Sequence, residues 1–378
     1  MSPTGIAILG AGIFAKEAHL PAIAALGATQ STLKAVYSRS IESASYFAKE
    51  AQEVLKQSQA PDVYHDSDET SNLDVLLARS DIQAVLVVLP ITLQPSIILK
   101  ALTAGKHVLS EKPVAPDVAG GLELIKEYEE TFKPKGLVWR VAENWEVEPG
   151  YHVAGKIIAS GKIGKVTSFN VRVVNHVPKD SKWYKTPWRT VPDYQGGFLL
   201  DGGVHTIAAL RVILPSPITT LTAFSSLNMD HLPPHDTIHA VVKTEDGTHG
   251  IVELTWGAPV PSRSEEANNG ISITGSDGWI WIKMTRSKDA NGTEQNVVRI
   301  TTKQVVRNEK GEDVGESETI LEERVRGVEE EIRSFFAAVN GNDDGFGAPF
   351  AALKDVAWIQ AGLTSNGQPV DLVKLISQ

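Results

Sequence analysis

The stretch from residue 5 to residue 15 constrains this 378-residue chain more than any other. Ile6-Ala7-Ile8-Leu9 is apolar without alternation, and it runs into Gly10-Ala11-Gly12-Ile13-Phe14-Ala15. An unbroken apolar run of this kind suits a strand covered on both faces. Glycine at 10 permits a tight turn, and glycine at 12 removes the β-carbon where a helix should start. Backbone N–H groups are then free at a helix N-terminus, where they and the helix dipole favour an anion such as a pyrophosphate. Small-residue turns also serve plain helix–strand packing, but the position in the first strand–helix unit favours a dinucleotide. Pro21 lies well inside the helix expected next, which should therefore break near His19-Leu20 and restart with proline in its first turn.

The pattern continues in the same manner to about residue 110. Leu33–Tyr37, Ala84–Leu89 and His107–Leu109 read as strands, with helical patterns at Ser43–Gln57, Leu73–Ala78 and Pro95–Ala104 between them. Apolar strands separated by helices imply a parallel sheet. After Pro113 the character changes. Helical stretches at Val118–Phe132 and Pro149–Ser160 lead into strands at Val166–Val174 and Ile218–Leu227. Two hairpins follow, His239–Thr244 with His249–Trp256 and Ile271–Thr274 with Trp279–Lys283, and then a strand at Val297–Val306. The charged tract Asn308–Glu318 reads as an exposed loop, and helices near Val325–Val339 and Pro349–Gly362 close the chain. The expected fold is α/β in class. A Rossmann dinucleotide-binding domain (1–135) precedes an α+β domain (136–378) with a large, mostly antiparallel sheet for substrate binding and oligomerisation. The last helices are expected to pack back between the two.

Composition narrows the partners. Net charge is −10, which disfavours nucleic acid, and no run of about 18 apolar residues is present to span a membrane. There is no cysteine, so thiolate nucleophiles, disulfides and Cys-ligated metals are excluded. His231, His235 and His239 flank Pro233-Pro234 and match no zinc spacing, so no metal is expected. The absence of a basic leader before Ile6 and of cysteine suggests a cytoplasmic protein.

Cofactor preference should be set at the end of the second strand, where Val36-Tyr37-Ser38-Arg39-Ser40 offers no acid before Glu42. An acid there would bond a ribose 2′-hydroxyl; Ser38 and Arg39 can instead hold a 2′-phosphate. NADP(H) is thus preferred, with NAD(H) possible. Ser40 also suits a helix N-cap, with Arg39 merely solvated, and both readings can hold together. Further on, Glu111-Lys112-Pro113 puts a lysine just beyond a strand end, where open α/β sheets bind ligands. Such a lysine is either a solvated surface group or a donor to a hydroxyl. In Gly196–His205, a helix would set Asp201 and His205 one turn apart, as a cap and a core histidine or as a proton-handling pair. Tyr184 and Trp188 precede that motif and either stack on a substrate or plug the core. Trp279 and Trp281 alternate with Ile280 and Ile282, so both faces of that strand look apolar. One should pack on the nucleotide domain and the other suits a subunit interface.

Taken together these motifs resemble the Gfo/Idh/MocA family of oxidoreductases, from the glycine turn through Val141–Asn144 and Trp188-Arg189 to Gln360–Gly367. The resemblance implies reversible hydride transfer between nicotinamide and a carbinol carbon of a sugar, polyol or related cyclic hydroxy compound. It makes Lys112, His205 and Asp201 catalytic, the first two handling the hydroxyl proton. Those three, with Tyr184 and Trp188, would meet the small-molecule substrate. Cofactor contacts would come from Gly10, Gly12, Ile13, Phe14, Ser38 and Arg39, and from Leu89, Pro90, Gln94, Glu111, Lys112, Asn144 and Arg189. The family often has Thr-Pro-Asn-x-x-His where this chain has Leu89-Pro90-Ile91-Thr92-Leu93-Gln94, so apolar groups partly replace polar ones there. A homodimer or homotetramer through the C-terminal sheet is implied. Two other functions fit the same residues: a non-catalytic NAD(P)-binding regulator or scaffold, and an enzyme using bound cofactor for redox-assisted elimination.

Overall fold

The computed structural model describes residues 3–261 and 269–377. The chain divides into two compact units, Met1–Asn144 with Val328–Leu353, and Trp145–Gly327 with Lys354–Gln378.

In the first unit, β1 (Thr4–Leu9), β2 (Ser31–Tyr37), β3 (Asp62–Tyr64), β4 (Ala84–Val87), β5 (His107–Glu111) and β6 (Trp139–Ala142) form one sheet. Their order is β3-β2-β1-β4-β5-β6 and every neighbouring pair is parallel. The crossovers carry α1 (Leu20–Leu26), α2 (Ile41–Leu55), α3 (Leu73–Leu77), α4 (Gln94–Thr103) and α5 (Val118–Glu127). Strand order reverses between β1 and β4, the switch point at which such sheets open a ligand crevice. The sheet runs past residue 135, because β6 lies beyond it. β6 is only four residues long, Trp-Arg-Val-Ala, too short for a period to mark it in the sequence, and Arg140 interrupts its apolar run.

The expected break at His19-Leu20 is instead one widened turn. Ala15–His19 is π-helical, and Leu20 N–H donates to the Ala15 carbonyl five residues back. Pro21 then sits in the first turn of α1, directly after the widened turn, with no N–H of its own to donate.

The second unit holds α6 (Pro149–Ala159), α7 (Pro187–Thr190) and α8 (Phe198–Ile213) against a nine-stranded sheet. Its strands are β7 (Val166–Val174), β8 (Ile218–Ser226), β9 (Thr237–Thr244), β10 (His249–Thr255), β11 (Gly270–Gly275), β12 (Gly278–Lys288), β13 (Glu294–Arg307), β14 (Asp313–Arg324) and β15 (Val370–Asp371). The order is β14-β13-β12-β11-β7-β10-β9-β8-β15, antiparallel except for the parallel pair β7–β10. The tract expected to be a loop is mostly β14. Only a short turn with Gly311 at positive φ separates it from β13. Its charges misled the sequence reading because β14 is an edge strand: Arg299–Glu322, Lys303–Glu316 and Arg307–Asp313 pair across to β13, and charge on an edge discourages further strand pairing.

Ile280 and Ile282, on the aliphatic face of β12, are buried, and α6 lies over the neighbouring β13 within the same unit. The opposite face carries the partly exposed Trp279 and, on β8, β9 and β10, the exposed Phe224, Val241 and Ile251. Two helices end the chain, α9 (Gly327–Val339) and α10 (Pro349–Thr364). α9 returns to the first unit, where Ile332, Phe335 and Phe336 join Ile6, Leu20, Phe47 and Leu109 in one core.

α6 approaches β13 at Gly150, where an added Cβ would lie 2.3 Å from Cβ of Val298. Gly150→Ala should therefore destabilise the protein by about 1–3 kcal/mol, read from the denaturant midpoint, with Val298→Ala in the same chain recovering part of the loss. An unchanged midpoint in the single variant would contradict this packing.

Candidate active site

The glycine turn has two glycines with different reasons. Gly10 has φ +117°, and a Cβ there would fall 2.1 Å from the Val88 carbonyl oxygen at the end of β4. Backbone conformation and strand–strand contact both exclude a side chain. Gly12 has neither constraint: nothing lies within 4 Å of its notional Cβ. The protein's own packing does not require glycine at 12, and the open space above it fits the close approach of a pyrophosphate. Ile13 and Phe14 begin the helix behind it. Leu89 borders the turn, its Cδ2 being 3.3 Å from the notional Gly10 Cβ. Gln94, at the start of α4, is 1% exposed, and both its amide atoms lack a hydrogen-bond partner among the described residues. A buried amide left this way calls for an explanation, and a ligand in the crevice supplies one.

At the end of β2, Ser40 caps α2, its Oγ accepting from Ser43 N–H, while Arg39 is exposed. Asp66 joins the end of β2 here. Its N–H donates to the Arg39 carbonyl and its carboxylate accepts from Tyr37 Oη at 2.5 Å. Burial first and then Asp66 hold the Tyr37 phenol well above its ordinary value. Asp66 follows a three-residue strand that left no periodic signal, so an acid from β3 could not be placed from the sequence. At the end of β5, Glu111 is buried with Oε1 2.6 Å from Nε2 of His19, while Lys112 is half-buried. Asn144 closes the first unit's main segment and is half-buried.

In the second unit, α8 sets Asp201 and His205 one turn apart. Gly196 and Gly197 have positive φ, and a Cβ on Gly197 would meet the Pro233 carbonyl oxygen at 2.7 Å. Asp201 Oδ2 accepts from Arg189 Nε at 2.7 Å. The guanidinium lies 4.0 Å from the Trp188 ring centre and 5.2 Å from that of Trp183. Arg189, expected among the cofactor contacts, is thus paired with Asp201 in the structure. His205 stacks on Trp145 with centroids 5.6 Å apart, and Tyr184 meets His231 edge-on. Tyr194, absent from the sequence expectations, is buried near this group with its hydroxyl lacking a partner among the described residues. Burial, with Asp201 next in effect, pushes that phenol far up.

A parallel sheet with a glycine turn at its switch point is the architecture of a dinucleotide-binding domain. The oxidoreductase-family model for an NAD-binding Rossmann fold matches residues 4–135, and the GFO/IDH/MocA C-terminal domain model matches residues 151–281. A dehydrogenase from Fusarium mangiferae, FPY6, is 40% identical over 96% of both chains. The dTDP-3,4-didehydro-2,6-dideoxy-alpha-D-glucose 3-reductase of Saccharopolyspora spinosa is 33% identical over 59% of this chain and 60% of its own. Among solved structures, an oxidoreductase from Thermotoga maritima is 28% identical and covers 99% of both chains with a TM-score of 0.79. The chain belongs to the Gfo/Idh/MocA family of NAD(P)-dependent oxidoreductases. No helix among the described residues is long and apolar enough to cross a membrane.

Removing Asp201 would leave the Arg189 guanidinium uncompensated between two indoles. Asp201→Ala should cost roughly 3 kcal/mol, measured by chemical unfolding, and Arg189→Lys should not substitute for the native fork.

Proposed function

We propose that the protein is an NADP(H)-preferring reductase or dehydrogenase acting on a sugar, polyol or related cyclic hydroxy compound. The observation that carries the cofactor half of this reading is Gly12, a glycine with open space and no packing role. Ser38 and the exposed Arg39 favour a 2′-phosphate over a bare ribose hydroxyl. The bound nicotinamide would supply or accept the hydride. Lys112 would donate to the substrate oxygen, and His205 would take or return its proton, a task suited to imidazole near neutral pH. Asp201, held by Arg189, would fix the helix turn from which His205 projects. Tyr184 and Trp188 offer aromatic faces for the C–H surface of a ring. The sugar class is supported by the 3-reductase relative, whose substrate is a dTDP-linked ketosugar by name. The exposed apolar face of the nine-stranded sheet is the surface we assign to pairing with further copies of the chain.

The deciding experiment is fluorescence titration with NADPH and NADH, followed by turnover on a panel of aldoses, polyols and nucleotide-linked ketosugars. NADPH should bind at least ten-fold more tightly, and Arg39→Ala should erase most of that preference. Lys112→Ala and His205→Ala should each lower kcat by 10²-fold or more while NADPH still binds. Tighter binding of NADH would refute the assignment at Ser38-Arg39, and full turnover in both variants would move the chemistry elsewhere.

A further inference from the structure

α8 is seated so closely that its backbone has little freedom at the turn that carries His205. A Cβ on Gly202 would lie 2.5 Å from Cζ2 of Trp256, just past β10, and one on Gly203 would lie 2.8 Å from Cδ1 of Ile359 on α10. The Arg189–Asp201 pair holds the same turn from its start. The helix therefore fixes where the backbone of His205 sits. It does not fix the imidazole. The second side-chain torsion of histidine is broad and roughly two-fold, so the ring can swing its nitrogens through a wide arc unless something meets its face.

Trp145 meets it. Imidazole and indole lie 5.6 Å apart between centroids and 28° from parallel, which is an offset stack. The indole is backed in turn by Tyr151 of α6, at 5.4 Å and 49°, and Tyr151 is buried. The backbone just beyond Trp145 is tied down on two sides. The Glu146 carbonyl accepts from Nε2 of His152 on α6, and its carboxylate accepts from Nη1 of Arg211, which shares α8 with His205. Every group in this series belongs to the second unit. A tryptophan that only filled the core would be covered, yet Trp145 and His205 are both half-buried. The stack stands at the margin of the packed interior.

We propose that Trp145 is a positioning residue for His205: its indole face holds the imidazole at the angle from which a ring nitrogen exchanges a proton with the substrate oxygen. A facial contact suits that task. A hydrogen bond to an imidazole nitrogen fixes the ring but occupies the nitrogen, whereas a stack restrains the plane and uses neither of them. Proton transfer needs donor and acceptor in line, and a ring free to turn would spend most of its time out of line. The part in proton transfer rests on the function proposed above; the restraint on the ring does not.

The test compares the full chain as wild type, Trp145→Phe and Trp145→Leu, with histidine carrying 13C in the ring. His205→Gln assigns the His205 signals. Relaxation of the ring carbons reports its order on the fast timescale. Wild type should be ordered, Phe should keep most of that order, and Leu should lose it, its ring protons also shifting as the indole ring current is removed. Turnover is then measured on a compound of the panel that wild type converts. Leu should lower kcat by about 10- to 100-fold, with KM within about two-fold of wild type, the pattern of an interaction made only in the transition state. Phe should restore most of kcat. If Leu does not fold, Trp145→Gln carries that arm. A raised KM with kcat intact would make the indole a platform for substrate and overturn the proposal. Unchanged ring order in Leu, or a Phe variant no better than Leu in either measurement, would overturn it as well. Should no compound be converted, or should His205→Gln keep full turnover, the proposed function fails, while ring order still decides whether Trp145 holds His205.

Discussion

The nucleotide unit is organised around a backbone contact that leaves no room for a single extra carbon. Gly10 sits so close to the Val88 carbonyl that any side chain would overlap it. That contact lets β1 end level with β4, with Gly10 N–H donating to the Tyr37 carbonyl and Val88 N–H to that of Leu9. β1, β2 and β4 therefore finish at one edge, and the helix that starts at Ile13 opens onto that edge. Gly12, Ser38 and Leu89, far apart in sequence, follow the ends of the neighbouring strands β1, β2 and β4.

Charge in the second unit is handled by pairing within the fold. Arg211 joins Asp355 of α10 and Glu146 before α6, and Arg189 joins Asp201 between two indoles. Each pair lies largely out of solvent, where a lone charge would be costly and a paired one fixes geometry. Glu148 is the contrast. It accepts from the N–H groups of Arg326 and Gly327 at the start of α9, yet burial outweighs those bonds and raises its carboxyl to about 7.

Much of the fold was legible because its strands obey simple rules. The glycine turn, the unbroken apolar strands and the two hairpins each carry a local signal. The readings that failed did so where the signal depends on neighbours. β3 is three residues long and β6 four, so neither is long enough to show a period. β14 looks like a charged loop until β13 is beside it to pair its acids. The widened turn at Ala15–His19 answers a proline two residues on, and a helix can absorb that in more than one way.

The site divides along the same line. Gly10, Gly12, Lys112, Asp201 and His205 each lie in a short motif that is visible in the sequence. Tyr194 and Asp66 lie in no such motif, and the pairing of Arg189 with Asp201 exists only in the folded chain. Glu331 is the extreme case. In the sequence it is one of three consecutive acids on a helix, Glu329-Glu330-Glu331. Only the return of α9 to the first unit buries the third of them against Glu111 and His19. The sequence by itself determined the dinucleotide turn and the order of strands and helices, since these follow from backbone freedom and hydrophobic period. The tertiary structure alone decided which polar groups meet out of water, because burial and pairing are properties of the packed chain and not of any segment within it.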